Sequence, residues 1–553
     1  MSITLLDALD TFLLMNRKED MEDALRKISQ FVHFDMDTKV HVFEVVIRVL
    51  GGLLSGHLLL ERSPEAFPKY DGILLDKAID VAQRLRPAFD SRTGLPYLFV
   101  NLRKGKLATL DKNSNTTCTA CAGTLLLEFG HLSALTGDPQ WAELAEHAAE
   151  AMFDRRSSLG LVGGSINVDS SAWVSREATT GPGVDSYYEY LLKSYLMFGN
   201  LEHLQMFTEL YGSVMQQLQP PSYLPGSAFL VSAHMDSGRL SRTFVSSLAA
   251  FWPAMQALVG LEEEAVQLHE GFLSAWREFG WLPELFGLEL EQIDPHDPGY
   301  QLRPESIESN YILYALTQDP KYLDVARRIQ RILNTHNRVK CGFASINNVT
   351  TGMLNDFWCR GKASLNVCQV MLRQRTATGQ APLQVCPGVP YAHHYSDIQE
   401  SYFLSETVKY LYLTFVEGSG ALLDYFIFST EGHLLPPQPP ADQEAATAEE
   451  RVYLEAVAES RHESKCTRFC ETSNPVKQAA TVSQLQQAFP LLHFDAADAE
   501  LIQRRRCVAC TQVTKHMGSK PAADSSLKIE QLSSAIQTAY VRFKLRFNLQ
   551  LST

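Results

Sequence analysis

The first 350 residues carry a repeated pattern of amphipathic helical segments, which restricts the chain to folds built from packed helices. The segments recur about every 25 residues, and turns rich in Gly, Pro and Asp separate them, as at Thr136–Pro139 and Gln318–Pro320. They cover residues 2–16, 19–31, 41–61, 72–87, 120–136, 140–153, 185–198, 200–217, 244–258, 261–278, 304–317 and 320–334. Helices paired in this way form either an open solenoid or a closed toroid, and periodicity does not distinguish the two.

The helical pattern changes in the second part of the chain. Periodicity fades over 351–396, where Gly and Pro accumulate, and we interpret this stretch as an irregular insertion. A strong helix is predicted over 401–415 and a short strand over 422–428. Beyond residue 435 the composition shifts to Ala, Glu, Gln, Lys and Ser, so 436–553 is interpreted as a C-terminal extension of unknown role. This extension is predicted to be mostly disordered or weakly helical, with an acidic helical segment at 442–462 and weakly ordered helices near 481–490 and 528–548.

Composition narrows the possible partners. The chain has 553 residues, of which 45% are hydrophobic and 20% charged, as in an ordinary soluble protein with a large core. A formal net charge of −14 and a pI near 5.6 argue against nucleic acid and anionic membranes as partners. No run reaches the roughly 20 apolar residues of a membrane span, and the first residues lack the basic region of a signal peptide. The ten cysteines do not settle the redox compartment.

Residues 41–57 predict a helix that is apolar nearly all round, which places it in the interior. Glu44 and Arg48 lie four residues apart on one face, and Val45 and Val49 flank them where a solvated face would have polar residues. An exposed ion pair here would contribute at most about 1 kcal/mol. A buried pair needs further partners, and such groups cluster at functional sites, so we interpret Glu44 and Arg48 as functional residues.

Other carboxylates stand at the predicted starts of helices. A glycine loop delivers Asp185 to the first turn of an aromatic helix, although Asp is also a favoured N-cap residue. Pro304 suits the first helical position, which places Glu305 and Glu308 along one face of the first turns. Acids in a first turn also complement the helix dipole. Arg303 directly before them favours an ion-pair cluster instead.

Three further acids have no capping role that would account for them. Glu284 follows a proline in an apolar segment, Glu406 lies inside the aromatic helix, and Glu431 follows the predicted strand. Carboxylates beside aromatic rings indicate a sugar site, because rings stack on pyranoses and paired acids perform acid–base chemistry on glycosidic bonds. A hard cation such as Ca²⁺ would suit the same surplus of oxygen ligands.

Six blocks of sequence, in order over residues 1–435, resemble glycoside hydrolase family 47, the class I α-1,2-mannosidases. The blocks are Ser2–Thr11, Val42–Gly52, Gly183–Tyr190, Leu302–Ser309, Phe403–Tyr412 and Ser429–His433. Within the family, Cys118–Thr119, Gly160–Gly163, Trp281–Glu284 and Cys341–Ala344 look most like the ER degradation-enhancing α-mannosidase-like subgroup.

The resemblance implies an all-α fold, an (α/α)₇ barrel over residues 1–435 whose helical hairpins close into a toroid with a pocket at one end. It implies hydrolysis of α-1,2-linked mannose, with inversion and with Ca²⁺, from high-mannose N-glycans of misfolded glycoproteins in the endoplasmic reticulum lumen. The alternative is a lectin that binds the same glycans without turnover and recruits degradation machinery. Family members carry a signal sequence and a further helix before the first block, so the resemblance predicts an N-terminally truncated chain.

The resemblance also implies a role for each matching residue. Glu44 matches the family's proton-donor position, and Asp185, Glu284 and Glu305 match its other catalytic acids, with Glu305 as the predicted base. Thr430 matches the threonine that binds Ca²⁺. The residues that match the pocket lining are Arg48, Arg303, Glu308, Glu400, Phe403, Glu406 and Glu431. One position departs from the family pattern, since Ile398 stands where Arg is usual.

Cysteines give two further expectations. In the subgroup that this chain resembles, the cysteines matching Cys118 and Cys341 would form a disulfide, and two buried free thiols are the alternative. The extension carries Cys466 with Cys470 and Cys507 with Cys510. These pairs could hold zinc, but disulfides with a protein disulfide isomerase-type oxidoreductase, or no role at all, are the favoured interpretations.

Overall fold

The computed structural model describes residues 2–106, 115–219, 229–352, 395–396, 398–438, 466 and 475–518. The predicted helical segments at 442–462 and 528–548, and most of the insertion at 351–396, lie outside these residues. The α-helices are α1 Ile3–Asp7, α2 Leu9–Leu14, α3 Lys18–Phe31, α4 Val42–Glu61, α5 Ile73–Leu85, α6 Thr119–Gly123, α7 Leu126–Thr136, α8 Gln140–Asp154, α9 Asp185–Phe198, α10 Leu201–Gln217, α11 Trp252–Leu258, α12 Glu262–Phe279, α13 Glu305–Thr317, α14 Lys321–Ile332, α15 Val349–Gly352, α16 Val408–Phe415, α17 Pro475–Ala488 and α18 Ala496–Gly518.

Wider and tighter helical turns interrupt or extend these helices. Helix α4 contains a π-helical stretch at Val45–Leu50, a second π-helical turn at Phe403–Thr407 leads into α16, and a third at Leu333–Asn337 follows α14. The 3₁₀ turns are Arg86–Phe89, Ser247–Phe251 and Ser419–Asp424. Because a π turn widens the helix locally, it changes the direction of the side chains that follow it.

An inner ring of helices forms the centre of the molecule. Among the described residues it consists of α2, α4, α7, α9, α11, α13 and α16. Neighbouring members contact each other around the ring, with α9 and α11 joined by Tyr188 and Trp252, whose ring centroids are 5.3 Å apart. The π-helical turn at Phe403–Thr407 contacts α1 and α2, so the ring is closed. This closure selects the toroid over the open solenoid.

Outer helices return the chain between successive members of the ring. Helices α3, α5, α8, α10, α12 and α14 each follow an inner helix and pack against it. Because the chain returns along the outside each time, the inner helices all run in the same direction and their first turns meet at one end of the barrel. The predicted (α/α)₇ barrel is therefore confirmed.

Helix α4 shows why the ring forms. It is long and apolar enough to cross a membrane by length and composition, but 83% of its most apolar window is buried within the described part of the chain. Gly52 permits this burial, because a Cβ at that position would lie 2.2 Å from the carbonyl oxygen of Leu6. The backbones of α1 and α4 therefore touch, as a helix that is apolar on every side requires.

Short antiparallel strands accompany the helices. In the three-stranded sheet, Ser165–Asn167 is central and pairs with Thr116–Cys118 on one side and with Trp173–Ser175 on the other. The two-stranded pairs are Lys39–His41 with Phe99–Asn101, Glu177–Ala178 with Ala233–His234, Phe244–Ser246 with Leu285–Gly287, Arg338–Val339 with Gly342–Phe343, Ser345–Ile346 with Tyr395–Ser396, and Ile427–Phe428 with Leu434–Leu435. Several of these ribbons come directly before an inner helix, so they gather around the end of the barrel where the inner helices begin.

The C-terminal extension contributes two helices to this body. Helix α17 corresponds to the predicted helix near 481–490, whereas α18 has no counterpart in the sequence-based prediction. Helix α18 packs on α9, α10 and the 3₁₀ turn Ser419–Asp424. Its buried Arg505 donates hydrogen bonds to the carbonyl oxygens of Leu196 and Met197, at the end of α9, and of Gln438. The extension therefore covers the end of the barrel opposite the first turns of the inner helices.

Candidate active site

Four predicted catalytic acids lie at or near one end of the barrel. Asp185 and Glu305 are the first residues of α9 and α13, and Glu44 is in the first turn of α4. Glu284 precedes a strand that pairs with Phe244–Ser246, the ribbon leading into α11. Since the inner helices run in parallel, these residues are positioned around the same opening.

A β-hairpin enters the ring from the opposite end and carries its tip toward these acids. Its strands are Ile427–Phe428 and Leu434–Leu435, so Thr430 and Glu431 lie at the turn. The hydroxyl of Ser55, in α4, donates to the carbonyl oxygen of Leu434 at 2.8 Å, which anchors the hairpin along the inside of the ring. This contact places the predicted metal ligand Thr430 inside the barrel.

Arg48 joins the hairpin tip to α4. Its Nε donates to Oε2 of Glu44 at 2.8 Å, and its Nη1 donates to Oε2 of Glu431 at 2.5 Å. Asp7 of α1 adds a longer ion pair, with 3.9 Å between Nη1 and Oδ2. The Glu44 side chain is 43% exposed, whereas that of Glu431 is 5% exposed. Glu44 and Arg48, which the sequence placed on one face of a buried helix, therefore form an ion pair. The Glu44 carboxylate faces the opening of the barrel.

A second arginine forms a similar arrangement on the far side of the opening. Arg303 donates from Nε to Oε2 of Glu284 at 2.9 Å, and the backbone N–H of Gln301 donates to Oε1 of the same carboxylate at 3.1 Å. The ring of Tyr402 lies between the two arginines, with its centroid 5.4 Å from Cζ of Arg48 and 5.5 Å from Cζ of Arg303. Tyr402 therefore connects the Glu44 and Glu284 sides of the site.

Between these two arginines the acids outnumber the cations. Burial raises the pKa of Glu305 to about 8 despite the nearby Arg303. Burial, together with the charges of Glu431, Glu305 and Glu308, raises the pKa of Glu406 well above its ordinary value. Burial raises the pKa of Asp185 to about 7. These mutual electrostatic effects show that the acids share one region, and we call Glu44, Asp185, Glu284, Glu305, Glu308, Glu406 and Glu431 the acidic cup.

Lys193 supplies a buried cation beneath the acidic cup. It forms an ion pair with Glu189 one helical turn away and lies 3.7 Å from Oε1 of Glu308. Burial raises the pKa of Glu308 to about 7, and Lys193 opposes that effect. The hydroxyl of Tyr410 lies 3.5 Å from the same carboxylate oxygen. These partners hold Glu308 in position.

Two predicted lining residues are placed differently from the rest. Glu400 is exposed, and the backbone N–H of Phe403 donates to its carbonyl oxygen at 3.2 Å. Phe403 itself is only 2% exposed and packs on Phe343, with 4.8 Å between ring centroids. The structure thus brings Glu400 to the rim and Phe403 into the adjoining core.

Several residues of this region were missed by sequence reasoning. Asp7 and Asp10 of the N-terminal segment lie 3.2 Å and 3.6 Å from the ring nitrogens of His433, and Lys409 donates to Asp10 at 2.8 Å. All four side chains are fully buried. No local pattern in the sequence reveals a cluster whose members lie about 400 residues apart.

Glu128 and Tyr190 form another contact that the sequence did not reveal. The Tyr190 hydroxyl donates to Oε1 of Glu128 at 2.6 Å and accepts from the backbone N–H of Thr430 at 3.5 Å. Both side chains are buried. They support the hairpin tip from the α7 and α9 side of the ring.

The predicted disulfide between Cys118 and Cys341 is wrong. Cys118 is bonded to Cys121, three residues away, where the chain turns into α6. Cys341 is an exposed free cysteine. The pairing of Cys118 with Cys341 was inferred from a resemblance alone. Cys121 lies only three residues from Cys118 in the chain, and it forms the bond with Cys118 instead.

The zinc interpretation of the extension is also not supported. Cys466 is bonded to Cys510, with 5.8 Å between the Cα atoms, and Cys507 is disulfide-bonded as well. Disulfide sulfurs are no longer thiolates and cannot ligate zinc. Over the described residues as a whole, no three His, Cys, Asp or Glu side chains are arranged to hold a metal ion directly.

Fold and site together define an (α/α)₇ barrel protein with an acidic cup at one end. A sequence model of the family described as glycosyl hydrolase family 47 matches residues 1–358 and 372–437. The chain belongs to this family. The likeness extends to a solved structure, an α-1,2-mannosidase from Trichoderma reesei, with a TM-score of 0.63 and 24% identity over 79% of this chain and 90% of that one, which supports the fold.

The curated relatives that match this chain have names that describe them as α-mannosidases or α-mannosidase-like proteins. Alpha-mannosidase I MNS4 of Arabidopsis thaliana is 38% identical over 447 residues, 79% of this chain and 64% of that protein. ER degradation-enhancing alpha-mannosidase-like protein 3 of Homo sapiens is 36% identical over 445 residues, 79% of this chain and 42% of that protein. The chain therefore spans less than two thirds of the length of these relatives.

Proposed function

We propose that the protein is a glycoside hydrolase that removes α-1,2-linked mannose from high-mannose N-glycans with inversion of configuration. The observation that carries this proposal is the convergence of Glu44, Asp185, Glu284 and Glu305 at one end of a family 47 barrel. Paired carboxylic acids around one opening are the groups that glycosidic hydrolysis requires.

The acids differ in the work they can do. Asp185, with a pKa of about 7, retains a proton in a large fraction of molecules near neutral pH, which suits an acid that protonates a leaving oxygen directly or through water. Glu44 faces the opening beside Arg48, and by resemblance it matches the family's proton-donor position. Oε2 of Glu305 is buried, and no donor among the described residues reaches it. That oxygen is suited to accept a proton from the attacking water once Glu305 is ionised.

We propose Ca²⁺ as the cofactor, with Thr430 supplying oxygens to it. The hairpin tip brings Thr430 next to Glu431. Burial raises the pKa of Glu431 to about 8 and that of Glu406 well above its ordinary value, and the charges of neighbouring acids add to this effect. A dication held there would lower the pKa values of these acids, Glu305 among them. Among the residues that the structure describes, His, Cys, Asp and Glu side chains do not form a direct cage, so water molecules and the oxygens of Thr430 would complete the coordination, as hard cations permit.

The proposed biological setting is the endoplasmic reticulum lumen, with misfolded glycoproteins as substrates and a protein disulfide isomerase-type oxidoreductase as a partner. The support is the names of relatives that match this chain, which refer to degradation in that compartment. The disulfides among the described residues suit an oxidising compartment.

Glycan profiling tests the proposed activity. Full-length protein incubated with a nine-mannose N-glycan and Ca²⁺, with and without a disulfide isomerase, should release free mannose that first appears as the β anomer by NMR. Glu305→Gln should reduce the rate about 10³-fold, the range expected for loss of an acid–base group. Glu289→Gln, which changes an exposed acid outside the acidic cup, is the matched control and should retain the wild-type rate.

The lectin alternative predicts a different result from the same materials. A lectin would bind the glycan with equal affinity in the wild type and in Glu305→Gln, and neither would release mannose under any condition. Binding measured by calorimetry alongside mannose release therefore separates the two functions.

A further inference from the structure

We propose that Cys118 and Cys121 form a redox-active disulfide that exchanges with thiols and that controls the position of Asp185. The segment Cys118-Thr119-Ala120-Cys121 is a Cys-x-x-Cys sequence, the spacing of reactive disulfides. The two cysteines are bonded to each other in the structure. The proposal rests on the proposed function only for its effect on Asp185; the exchange itself is independent of it.

Access differs between the two sulfurs. Cys118 is half-buried, whereas Cys121 is 6% exposed. The backbone N–H of Cys121 also donates to Sγ of Cys118 at 2.9 Å. Cys118 is therefore the sulfur that an incoming thiolate can reach, and this N–H stabilises negative charge on Cys118 when it leaves as a thiolate.

The residues between and after the two cysteines hold the loop that delivers Asp185. The backbone N–H of Ala120 donates to the carbonyl oxygen of Gly183 at 2.9 Å. The Thr124 hydroxyl donates to the Ser186 hydroxyl at 2.9 Å, and the backbone N–H of Ser186 donates to Oδ1 of Asp185 at 2.8 Å. The disulfide thus stands two hydrogen bonds away from a predicted catalytic acid.

Gly183 also lies directly beside the disulfide. Gly183 has a φ of 85°, and a Cβ built on it would lie 3.8 Å from Cβ of Cys118. Thr119 is tied to the neighbouring strand connection, with its hydroxyl donating to the carbonyl oxygen of Gly163 at 2.5 Å. Movement of the turn after cleavage of the disulfide would therefore be transmitted to Gly183 and to Asp185.

The reduction of the Cys118–Cys121 disulfide takes two successive thiol–disulfide exchanges. A thiolate of the reductant attacks Sγ of Cys118, the bond to Cys121 breaks, and Cys121 leaves as a thiolate that takes up a proton. The mixed disulfide now joins Cys118 to a sulfur of the reductant. A second thiolate of the reductant attacks that reductant sulfur, and Cys118 leaves as a thiolate that is protonated in turn. Two electrons and two protons have passed to the cysteine pair, and the reductant has become a disulfide. Glutathione and a protein dithiol both supply this chemistry.

Thiol trapping tests the exchange directly. Full-length protein is equilibrated in glutathione buffers of defined ratio, or with reduced thioredoxin, alkylated, and digested for mass spectrometry. The pair should titrate between disulfide and dithiol in at least one of the two reductants, under conditions that leave Cys466–Cys510 oxidised. Glutathione and thioredoxin arms distinguish a small thiol from a protein dithiol as the reductant. A pair that stays oxidised in both would overturn the proposal.

Mannose release in the same buffers tests the control of Asp185. Reduction should lower the rate about tenfold or more, because small displacements of catalytic groups cost 10- to 100-fold, and oxidised glutathione should restore it. Cys118→Ser/Cys121→Ser should give one low rate in both buffers, with Cys121→Ser alone as a second variant if the double variant unfolds. Cys341→Ser, which alters the exposed free cysteine, should respond like the wild type. A reduced wild type with full activity would refute the control of Asp185, whereas absence of mannose release in every buffer would count against the proposed function alone.

Discussion

Within the acidic cup, burial and the nearby Arg303 have opposite effects on the pKa of Glu284. Burial raises the pKa of Glu284, and Arg303 opposes that effect through the ion pair at 2.9 Å. Removing the guanidinium would leave a carboxylate that is 6% exposed without its cation. A buried acid in that position takes up a proton instead of staying charged. Arg303 therefore favours the ionised form of Glu284.

Arg303→Met should raise the pKa of Glu284 further and lower kcat/KM at neutral pH by about 10²-fold, the lower end of the range for an acid–base group. The acidic limb of the pH–rate profile should move to higher pH, because Glu284 ionises later. Arg242→Met is the matched control, since Arg242 is 59% exposed and pairs with Glu177, which is not a member of the acidic cup. A fall in rate with an unchanged pH profile would show that Arg303 binds substrate instead of tuning Glu284.

His433 makes stability depend on pH in a defined window. Burial alone would lower its pKa, but Asp10 and Asp7 raise it from 6.5 to about 9. A base with a raised pKa in the folded state stabilises fully below pH 6.5, and this stabilisation is lost as pH rises through 9. Asp10 behaves oppositely, since Lys409 and His433 overcome burial and hold its pKa at about 2. Its contribution is lost only in strong acid.

His433→Gln should therefore lower the free energy of unfolding by about 3 kcal/mol at pH 6, from the size of the pKa shift. The difference from the wild type should shrink steadily between pH 6.5 and 9, because in this window the unfolded chain has lost the His433 proton whereas the folded protein still binds it. Urea unfolding at pH 6, 7.5 and 9 measures this. His296→Gln, at an exposed position, should show the wild-type dependence. A difference that is constant with pH would mean that His433 acts by packing alone.

The sequence revealed individual residues only where a local rule was broken. Glu44, Glu284 and Glu406 were recognisable because an acid in an apolar helix or segment has no capping role. Asp7, Asp10 and Lys409 were not recognisable, since their partners come from elements brought together only when the ring closes. Phe403 was assigned by resemblance, and its contact with Phe343 depends on a strand that no local pattern identifies.

At the scale of elements, the two π-helical turns in the ring coincide with the acidic cup. Arg48 lies within Val45–Leu50, and Glu406 lies within Phe403–Thr407. Helical periodicity assumes 3.6 residues per turn, so the sequence predicted these helices but not their widened turns. The widening directs Arg48 and Glu406 into the ring, toward the hairpin tip.

The close contact between α1 and α4 at Gly52 can be tested with Gly52→Ala, which adds a single methyl group. Gly52→Ala would place Cβ 2.2 Å from the carbonyl oxygen of Leu6, so α1 must move away from α4. We expect a loss of about 1–3 kcal/mol in the free energy of unfolding, as for other overpacked sites. Movement of α1 also displaces Asp7, which neighbours Arg48, so the rate of mannose release should fall too.

The matched control for this prediction is Gly287→Ala. A Cβ there would meet nothing closer than 3.5 Å, which is ordinary contact. Urea unfolding of both variants should therefore show a change of at most about 0.5 kcal/mol in Gly287→Ala. Equal losses in the two variants would show that loss of a glycine, not the approach of α1 to α4, determines the effect.

At the scale of the whole molecule, the number and pairing of helices followed from periodicity, whereas ring closure did not. Periodicity describes each helix and its neighbour in the chain, and closure depends on contacts between the first and last inner helices. The same reason explains why α18 was missed. Its charged residues give it the appearance of a solvated segment, and only the completed barrel shows that Arg505 has carbonyl oxygens to bind.

Arg505 links the extension to the barrel, and its replacement tests whether the two unfold together. The guanidinium is fully buried and donates to Leu196, Met197 and Gln438, the last of which continues the hairpin that carries Thr430. Arg505→Met leaves three carbonyl oxygens without this donor and should cost about 3 kcal/mol of unfolding free energy. Hydrogen exchange should accelerate at the end of α9 and along the hairpin, whereas the exposed Arg504→Met should change neither. Faster exchange confined to α18 would show that the extension is docked on a barrel that is stable without it.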